Sequence, residues 1–465
     1  MKTFVIRLGA ILALLATGTI SVAQVEIKGS GTTSATSTLI TKNGSNDTSM
    51  IIRDDGSIGI GTTNPMTRLD VNGVINAGSG VRYPDGLTQT IAYTGPPVSP
   101  ANTFVVATTG GDFTTITDAI LACTAPSAAN PYLVEVMPGT YVENVNCVQF
   151  VNLRGAGKYA SRIQGTVVTA DSMVIEGFNI ALGIQCPVGS PTILHNAVTN
   201  TPAGGGIGIN VLGMASPWIK ENEITGCSAW GIIVMNATAW IIANKVQNNM
   251  AGGIQVFNSS PTISNNIIDN NDMYGINVSA PVGMPVLTTI SDNVISNTDY
   301  TAGGIGISLG GTVEPMIISN DIRTNETGIY INPNAQPSIN GNNINNNYAA
   351  GIRCLSAGTT KRVVITGNHI HSNIHFPILP GPPSAGIWIA GPSDPIITLN
   401  NISQNNVAPA FGLPDIDYSA IAGAGPFPTI SSNIYDMILR LGFGPGPGPA
   451  MGMYNSTLLG VAIFP

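Results

Sequence analysis

Three features of the sequence predict an all-β fold, a right-handed parallel β-helix built from coils of about 22 residues. First, a short phrase recurs between Pro191 and Ile434, cleanest at Ser260-Pro261-Thr262-Ile263-Ser264-Asn265-Asn266-Ile267-Ile268-Asp269-Asn270-Asn271, then Gly275-Ile276-Asn277-Val278. Its anchoring Asn stands at positions 196, 222, 244, 266, 293, 320, 342, 368 and 400, in steps of 26, 22, 22, 27, 27, 22, 26 and 32. Second, the position two after the anchor is apolar in every copy: Val198, Ile224, Val246, Ile268, Ile295, Ile322, Ile344, Ile370 and Ile402. Third, the apolar bursts are short, β-branched and interrupted by Gly or Asn, which is strand patterning. No burst is long enough for a helical repeat, and the Leu ladder of a leucine-rich repeat is missing.

Taken in order, the chain opens with a segment that reads as a secretory signal peptide, residues 1–23. Lys2 and Arg7 precede an apolar core from Leu8 to Ala16, too short to span a membrane, and Ser21-Val22-Ala23 fits a small-x-small cleavage site. This predicts export to the cell exterior or cell surface, and no later stretch reads as a transmembrane segment. Residues 24–95 form a second region with Gly56-Ser57-Ile58-Gly59-Ile60-Gly61, Arg68-Leu69-Asp70-Val71-Asn72-Gly73 and Tyr83-Pro84-Asp85-Gly86-Leu87 in succession. The order resembles the β-rich stalks of phage tail-fibre-like bacterial surface proteins, and that resemblance implies a homotrimer. Residues 96–101 are a Pro-rich linker. The β-helix is expected over 102–442. Thr115-Ile116-Thr117-Asp118 before an apolar run predicts a short helix near Thr115–Ala122 capping the first coil. Residues 443–465, rich in Gly and Pro, are read as a tail.

Through this repeat and its interior column, the chain from about 102 to 442 resembles the pectin-lyase-like superfamily, the parallel β-helix repeat proteins of carbohydrate-binding and sugar-hydrolase type. Gly139-Thr140-Tyr141-Val142-Glu143 also resembles the opening of pectin methylesterases, an opening shared by many β-helices and so a mark of fold. The resemblance implies polysaccharide as ligand or substrate. It does not select a function, because one scaffold hosts many. Five positions after the anchor come Cys227, Asn249, Asn271, Thr298, Asn325, Asn347, Asn373 and Asn405, which predicts a side-chain ladder through one turn.

Composition narrows the partners. Charged residues make up 9% of the 465-residue chain and the net charge is −8; ordinary domains carry about 25% charged residues. An acidic, charge-poor surface argues against nucleic acid and anionic membranes. The five cysteines lack metal-ligand spacing. Cys354 reads as a buried hydrophobe, and Cys123 with Cys147 is a candidate bridge between cap and first coil; the pairing of Cys123, Cys147, Cys186 and Cys227 is left open.

Outward columns can be read from the same register. One and three places after the anchor, Asp321, Arg323, Asn343, Asn345, His369 and His371 fall on one patch, in which Asp321, Arg323, His369 and His371 are the candidate catalytic groups. His369, His371 and His375 are the candidates for metal binding. No cofactor motif is present, and no clear motif supports a divalent cation. In the Gly-Ile-x-Val strand the x column reads Tyr330, Arg353 and Trp388 in successive coils, and another column sets Trp218 under Trp240. Exposed aromatic and polar side chains of this kind bind sugar rings. Two readings follow: a secreted polysaccharide-binding protein without chemistry of its own, or a lyase, glycoside hydrolase or epimerase. The scarcity of paired acids and the absence of the superfamily's catalytic stretches favour the first. Asn297-Thr298-Asp299, shared with polygalacturonases, stands alone at an expected turn.

Overall fold

The computed structural model describes residues 37–71 (without 46, 66 and 67), strands at 81–82 and 88–89, and most of 102–441. The gaps in that last span are 201–205, 282, 284–285, 299–302, 356–361, 374–384, 390–394, 406–415, 419–428, 432 and 436–438; short strands follow at 453–454 and 457–458. The readings made for residues 1–36, the linker and most of the tail fall outside the described residues. The chain divides into two units, Met1–Ala92 and Tyr93–Pro465. In the first, Ser37–Lys42, Thr48–Arg53, Ile58–Ile60 and Leu69–Val71 form one four-stranded sheet, with Ile51 buried and Ile40, Ile60 and Leu69 exposed.

The second unit is a parallel β-helix, as the period requires. Three sheets of 15, 14 and 13 strands run its length, here called sheets I, II and III, and every pairing within them is parallel to the coil before and after. One coil shows the path: Trp218–Lys220 in sheet I, a corner, Glu223–Thr225 in sheet II, a second corner, then Trp230–Met235 in sheet III. The column predicted to fill the interior does so. Ile268, Ile295, Ile322, Ile344, Ile370 and Ile402 are paired in register and have no solvent exposure. Ile263 and its equivalents from sheet I and Ile276 with Val278 from sheet III complete the core. Each such side chain is worth about 2 kcal/mol relative to exposure.

The two corners carry polar ladders. At the corner between sheets II and III, Asn249 donates to Asn271 (2.9 Å), Thr298 to Asn325 (2.7 Å), Asn325 to Asn347 (3.1 Å), Asn347 to Asn373 (2.8 Å) and Asn373 to Asn405 (2.8 Å). This is the predicted ladder. The anchoring Asn residues form a second and longer one at the corner between sheets I and II. Asn196 Nδ2 donates to Asn222 Oδ1, and the same bond repeats through Asn244, Asn266, Asn293, Asn320, Asn342, Asn368 and Asn400 to Asn433. Each of these amides also binds a backbone carbonyl of the preceding coil, as Asn320 does to Ile290 at 2.9 Å.

Left-handed backbone is needed at these corners, but one residue earlier than the ladder. His195, Glu221, Ala243, Asn265, Asp292, Ser319, Gly341, Gly367 and Leu399 precede the anchors and all have positive φ. The ladder amide itself must point inward along the axis, so the sharp bend falls on its predecessor. Leu399 sits there at φ 58° while 66% exposed, and the two preceding coils use glycine. Left-handed geometry costs an L-residue about 1–2 kcal/mol, part of which glycine returns as chain entropy. Leu399→Gly is therefore expected to stabilise the fold by about 0.5–1 kcal/mol. A urea midpoint at or below that of the parent chain would remove this account of the corner.

Sheet III needs glycine for a different reason. A Cβ on Gly328 would lie 2.5 Å from the Gly351 carbonyl oxygen and 3.0 Å from both Asn347 Nδ2 and Ile344 Cγ2. Gly253, Gly306 and Gly351 meet the same obstacles one coil on, and Gly275 meets the Gly306 carbonyl and Ile295. The coils touch backbone to backbone along this line.

The expected capping helix is α1, Ile116–Ala122, with Ile116, Ala119 and Ile120 buried against the first coil. Thr115 is its N-cap and accepts from the Asp118 N–H at 3.1 Å. Glu143, the acid of the Gly-Thr-Tyr-Val-Glu stretch, accepts from the N–H groups of Ile116 (2.8 Å) and Thr117 (2.9 Å). That glutamate thus satisfies two of the helix's orphan donors. The candidate Cys123–Cys147 bridge is not formed. All five cysteines are free thiols, Cys123 and Cys147 pack separately against the core, and burial raises the Cys123 thiol to about 11 and those of Cys186 and Cys227 to about 12. Burial also raises the Cys147 thiol. Among the described residues no helix is long and apolar enough to cross a membrane.

Candidate ligand-binding faces

The candidate residues lie on three separate sheets. The acid–histidine patch is on sheet II, where Asp321, Asn343 and His369 form one paired column and Arg323, Asn345 and His371 the other. Asp321 is the hub. Its Oδ1 accepts from Asn343 Nδ2 and Asn345 Nδ2, each at 3.1 Å, and its Oδ2 accepts from Arg323 Nε at 2.9 Å. His371 Nε2 lies 3.1 Å from Asn343 Oδ1 and its Nδ1 lies 3.2 Å from Ser372 Oγ. The His369 and His371 rings stack with centroids 4.2 Å apart. Burial, then the neighbouring His369, lower the pKa of His371, and Asp321 opposes them. Both ring nitrogens of His371 are in hydrogen-bonding contact, and the downward shift favours the neutral imidazole. Among the described residues no three His, Cys, Asp or Glu groups gather as a metal site; His375 lies outside those residues. Asn345, read as outward, is buried, its Nδ2 donating to Asp321.

On sheet I, Trp218 and Trp240 are paired in register with ring centroids 5.0 Å apart and planes within 11°. Two rings stacked along the axis cover each other's inner faces. Only their outer faces and edges are free for a ligand, less than two isolated tryptophans would offer.

Sheet III holds the third set. Tyr330, Arg353 and Trp388 are paired in one column and all are half-buried. The Arg353 guanidinium carbon is 4.9 Å from the Tyr330 ring centre and 4.1 Å from that of Trp388. Arginine is sandwiched between the two rings, a cation–π arrangement that fixes its plane. Arg353 Nε and Trp388 Nε1 are buried and have no hydrogen-bond partner among the described residues. Buried polar atoms without a partner are the exception in folded proteins. Because the three sheets face different directions, His371 does not extend the Tyr330–Arg353–Trp388 strip.

Sequence reasoning missed a further aromatic pair on sheet III. Trp230, Gly252 and Tyr274 are one column, and the two rings stack across the glycine at 5.8 Å with planes within 7°. A Cβ at Gly252 would stand 2.4 Å from Trp230 Cζ3, so the glycine admits the ring. The residue directly before each Gly-Ile-x-Val phrase was the available signal.

Comparison with known proteins agrees with this architecture. The family described as the right-handed β-helix region matches residues 164–280 and, overlapping them, 231–407. Together these matches span more than half of the chain, and the chain belongs to that family. The expected pectin-lyase-like, right-handed parallel β-helix is thus what the chain forms. The sequence matches no curated protein. Among solved structures, the A-module of an Azotobacter vinelandii mannuronan C-5 epimerase is 16% identical, covering 68% of this chain and 96% of its own, with a TM-score of 0.48. The Dettilon tailspike protein is 15% identical over 68% of each chain, also at 0.48. The catalytic unit of an α-1,3-glucanase from Streptomyces thermodiastaticus is 14% identical, covering 71% of this chain and 70% of its own, again at 0.48.

Proposed function

We propose that the chain is an exported polysaccharide-binding β-helix whose contact face is the Tyr330–Arg353–Trp388 column of sheet III. The observation that carries the reading is the sandwich itself: two half-buried rings and a guanidinium held in fixed planes along one column of sheet III. Sugars offer apolar C–H faces that pack on the accessible parts of the two rings. The leader read from the sequence at residues 1–23 supports export, to where polysaccharides are met. Non-catalytic binding is favoured because Asp321, the best-placed acid of the histidine patch, already accepts three hydrogen bonds.

A glycan array with the parent chain and a Tyr330→Ala, Trp388→Ala double variant tests the site. Each ring contributes about 1 kcal/mol through stacking, so the variant is expected to lose at least tenfold in affinity while keeping its β-sheet circular dichroism. Equal binding by both proteins overturns the strip. A catalytic reading has one specific support, the neutral His371 two coils from Asp321. New reducing ends or unsaturated sugar ends in the same incubations would replace the non-catalytic part of the proposal with that reading.

A further inference from the structure

The Trp230 and Tyr274 rings stand on the same sheet as the Tyr330 column, and Tyr274 lies two coils before Tyr330. Both rings are half-buried, and neither belongs to the interior, which Ile232, Ile254 and Ile276 fill on these strands. Their strands are two spacings apart, about 10 Å. The ring centroids are nevertheless only 5.8 Å apart, with planes within 7°. The tryptophan closes the gap by leaning over Gly252, whose Cβ would stand 2.4 Å from Cζ3 and 2.9 Å from both Cε3 and Cη2. Three residues further along the strands of Gly252 and Tyr274 come Gln255 and Asn277, paired with each other and half-buried. Neither of these side chains has a hydrogen bond or ion pair among the described residues. Phe257, two residues beyond Gln255, is also half-buried.

Rings on one side and amides on the other, within about 10 Å along the strand, suit a sugar residue. Its C–H faces pack on aromatic surface, and its hydroxyls both donate to and accept from a side-chain amide. The register relates this group to the Tyr330 column. Where Tyr330, Arg353 and Trp388 stand, the column of Trp230 holds only the small, buried Thr327, Ala350 and Ala385. The large side chains thus shift by three residues between the two groups and trace a line about 20° from the helix axis. The coil between them carries Ser308 and Gly310 on its outer face, small residues over which a chain can pass. From the strand of Trp230 to that of Trp388 there are six strand spacings, about 29 Å, comparable to about six sugar residues of an extended chain.

We propose that Trp230, Tyr274, Gln255 and Asn277 form a second sugar subsite on sheet III, and that the ligand is a linear polysaccharide lying lengthwise across both subsites. This rests on the binding function proposed above and adds a site and a length requirement. The test is calorimetry of the full chain with soluble β-glucan, glucomannan, xylan and polygalacturonate, each as the polymer and as its trisaccharide and heptasaccharide. At least one polymer is expected to bind, its heptasaccharide at least tenfold more tightly than its trisaccharide. A Trp230→Ala, Tyr274→Ala variant is expected to lose at least tenfold on the heptasaccharide, and a Gln255→Ala, Asn277→Ala variant several-fold, while both still bind the trisaccharide at the Tyr330 column. The amide variant removes no ring and no hydrogen bond within the described residues, so it decides the matter if the ring variant fails to fold. An amide variant that is folded by its unfolding midpoint and binds the heptasaccharide as the parent does overturns the second subsite and leaves the Tyr330 column standing. Equal affinity of the parent chain for trisaccharide and heptasaccharide overturns the length requirement. A parent chain that binds none of the four polymers overturns the underlying binding function.

Discussion

Asn320→Asp is expected to destabilise the β-helix by about 4 kcal/mol at neutral pH, although it exchanges one NH2 for one oxygen. Asn320 is 1% exposed and its Nδ2 serves three acceptors: Ile290 O (2.9 Å), Ile318 O (3.0 Å) and Asn342 Oδ1 (2.9 Å). A carboxylate there would aim negative charge at three oxygens and satisfy none. Its Oδ1 contacts with the N–H and Nδ2 of Asn293 would survive, which is why the penalty is a few kcal/mol and not more. The pH dependence follows from linkage. Burial among acceptors raises the folded-state pKa of the new acid above its unfolded value of about 3.9, so folded protein binds the proton more tightly. Part of the lost stability should return below about pH 4, where the acid is protonated in both states and donates one bond, and should be lost again as pH rises through the folded-state pKa. Urea midpoints at two pH values decide this; a variant equal to the parent at pH 7 would mean that the ladder adds nothing.

Gly328→Ala is expected to cost about 3 kcal/mol, and the same substitution at Gly310, on the neighbouring coil of the same sheet, close to nothing. Adding a methyl normally helps a strand by reducing the freedom of the unfolded chain. At Gly328 the methyl would meet the Gly351 carbonyl at 2.5 Å, and that carbonyl belongs to backbone held in register by the next coil. Nothing there can turn aside as a side-chain end could. At Gly310 the nearest atoms are Ser279 Cβ at 3.8 Å and Asn332 Nδ2 at 4.0 Å, ordinary contact distances. Thermal unfolding of the two variants side by side separates steric contact from glycine's general effect. Similar midpoints would show that the coils can move apart and that backbone contact is not what sets glycine in this column.

The solenoid was legible because it repeats its interior chemistry at every turn. A column such as Ile268, Ile295 and Ile322 can be read by spacing alone, and the cap by Thr115 and Asp118. The anchoring Asn was legible as a marker of period but not as a ladder, since its bonds run to carbonyls 21–36 residues away that no local pattern announces. The Gly328 column was hidden for a related reason: its φ is ordinary, and only the approach of the next coil forbids a side chain. Of the candidate sites, the register placed Asp321 with His371 and Tyr330 with Trp388. It could not show that Arg353 lies between the rings, nor that Trp218 and Trp240 cover each other's faces, because side-chain tilt along the axis is set by the coils on either side.

The anchor ladder carries a consequence for how such a protein changes over generations. Its rungs join residues 22, 27, 26 or 32 apart in the chain, yet Asn320–Asn342, Asn266–Asn293, Asn342–Asn368 and Asn368–Asn400 all close at 2.9 Å. Rung length follows the stacking distance and ignores how much chain intervenes. Extra residues between rungs therefore leave the hydrogen bonds on either side unaltered, and loop closure charges little for the added length. Insertion and deletion, ordinarily the most disruptive of genetic accidents, become for this architecture a tolerated source of variation, able to remodel the outer surface of one coil while its neighbours inherit their structure intact.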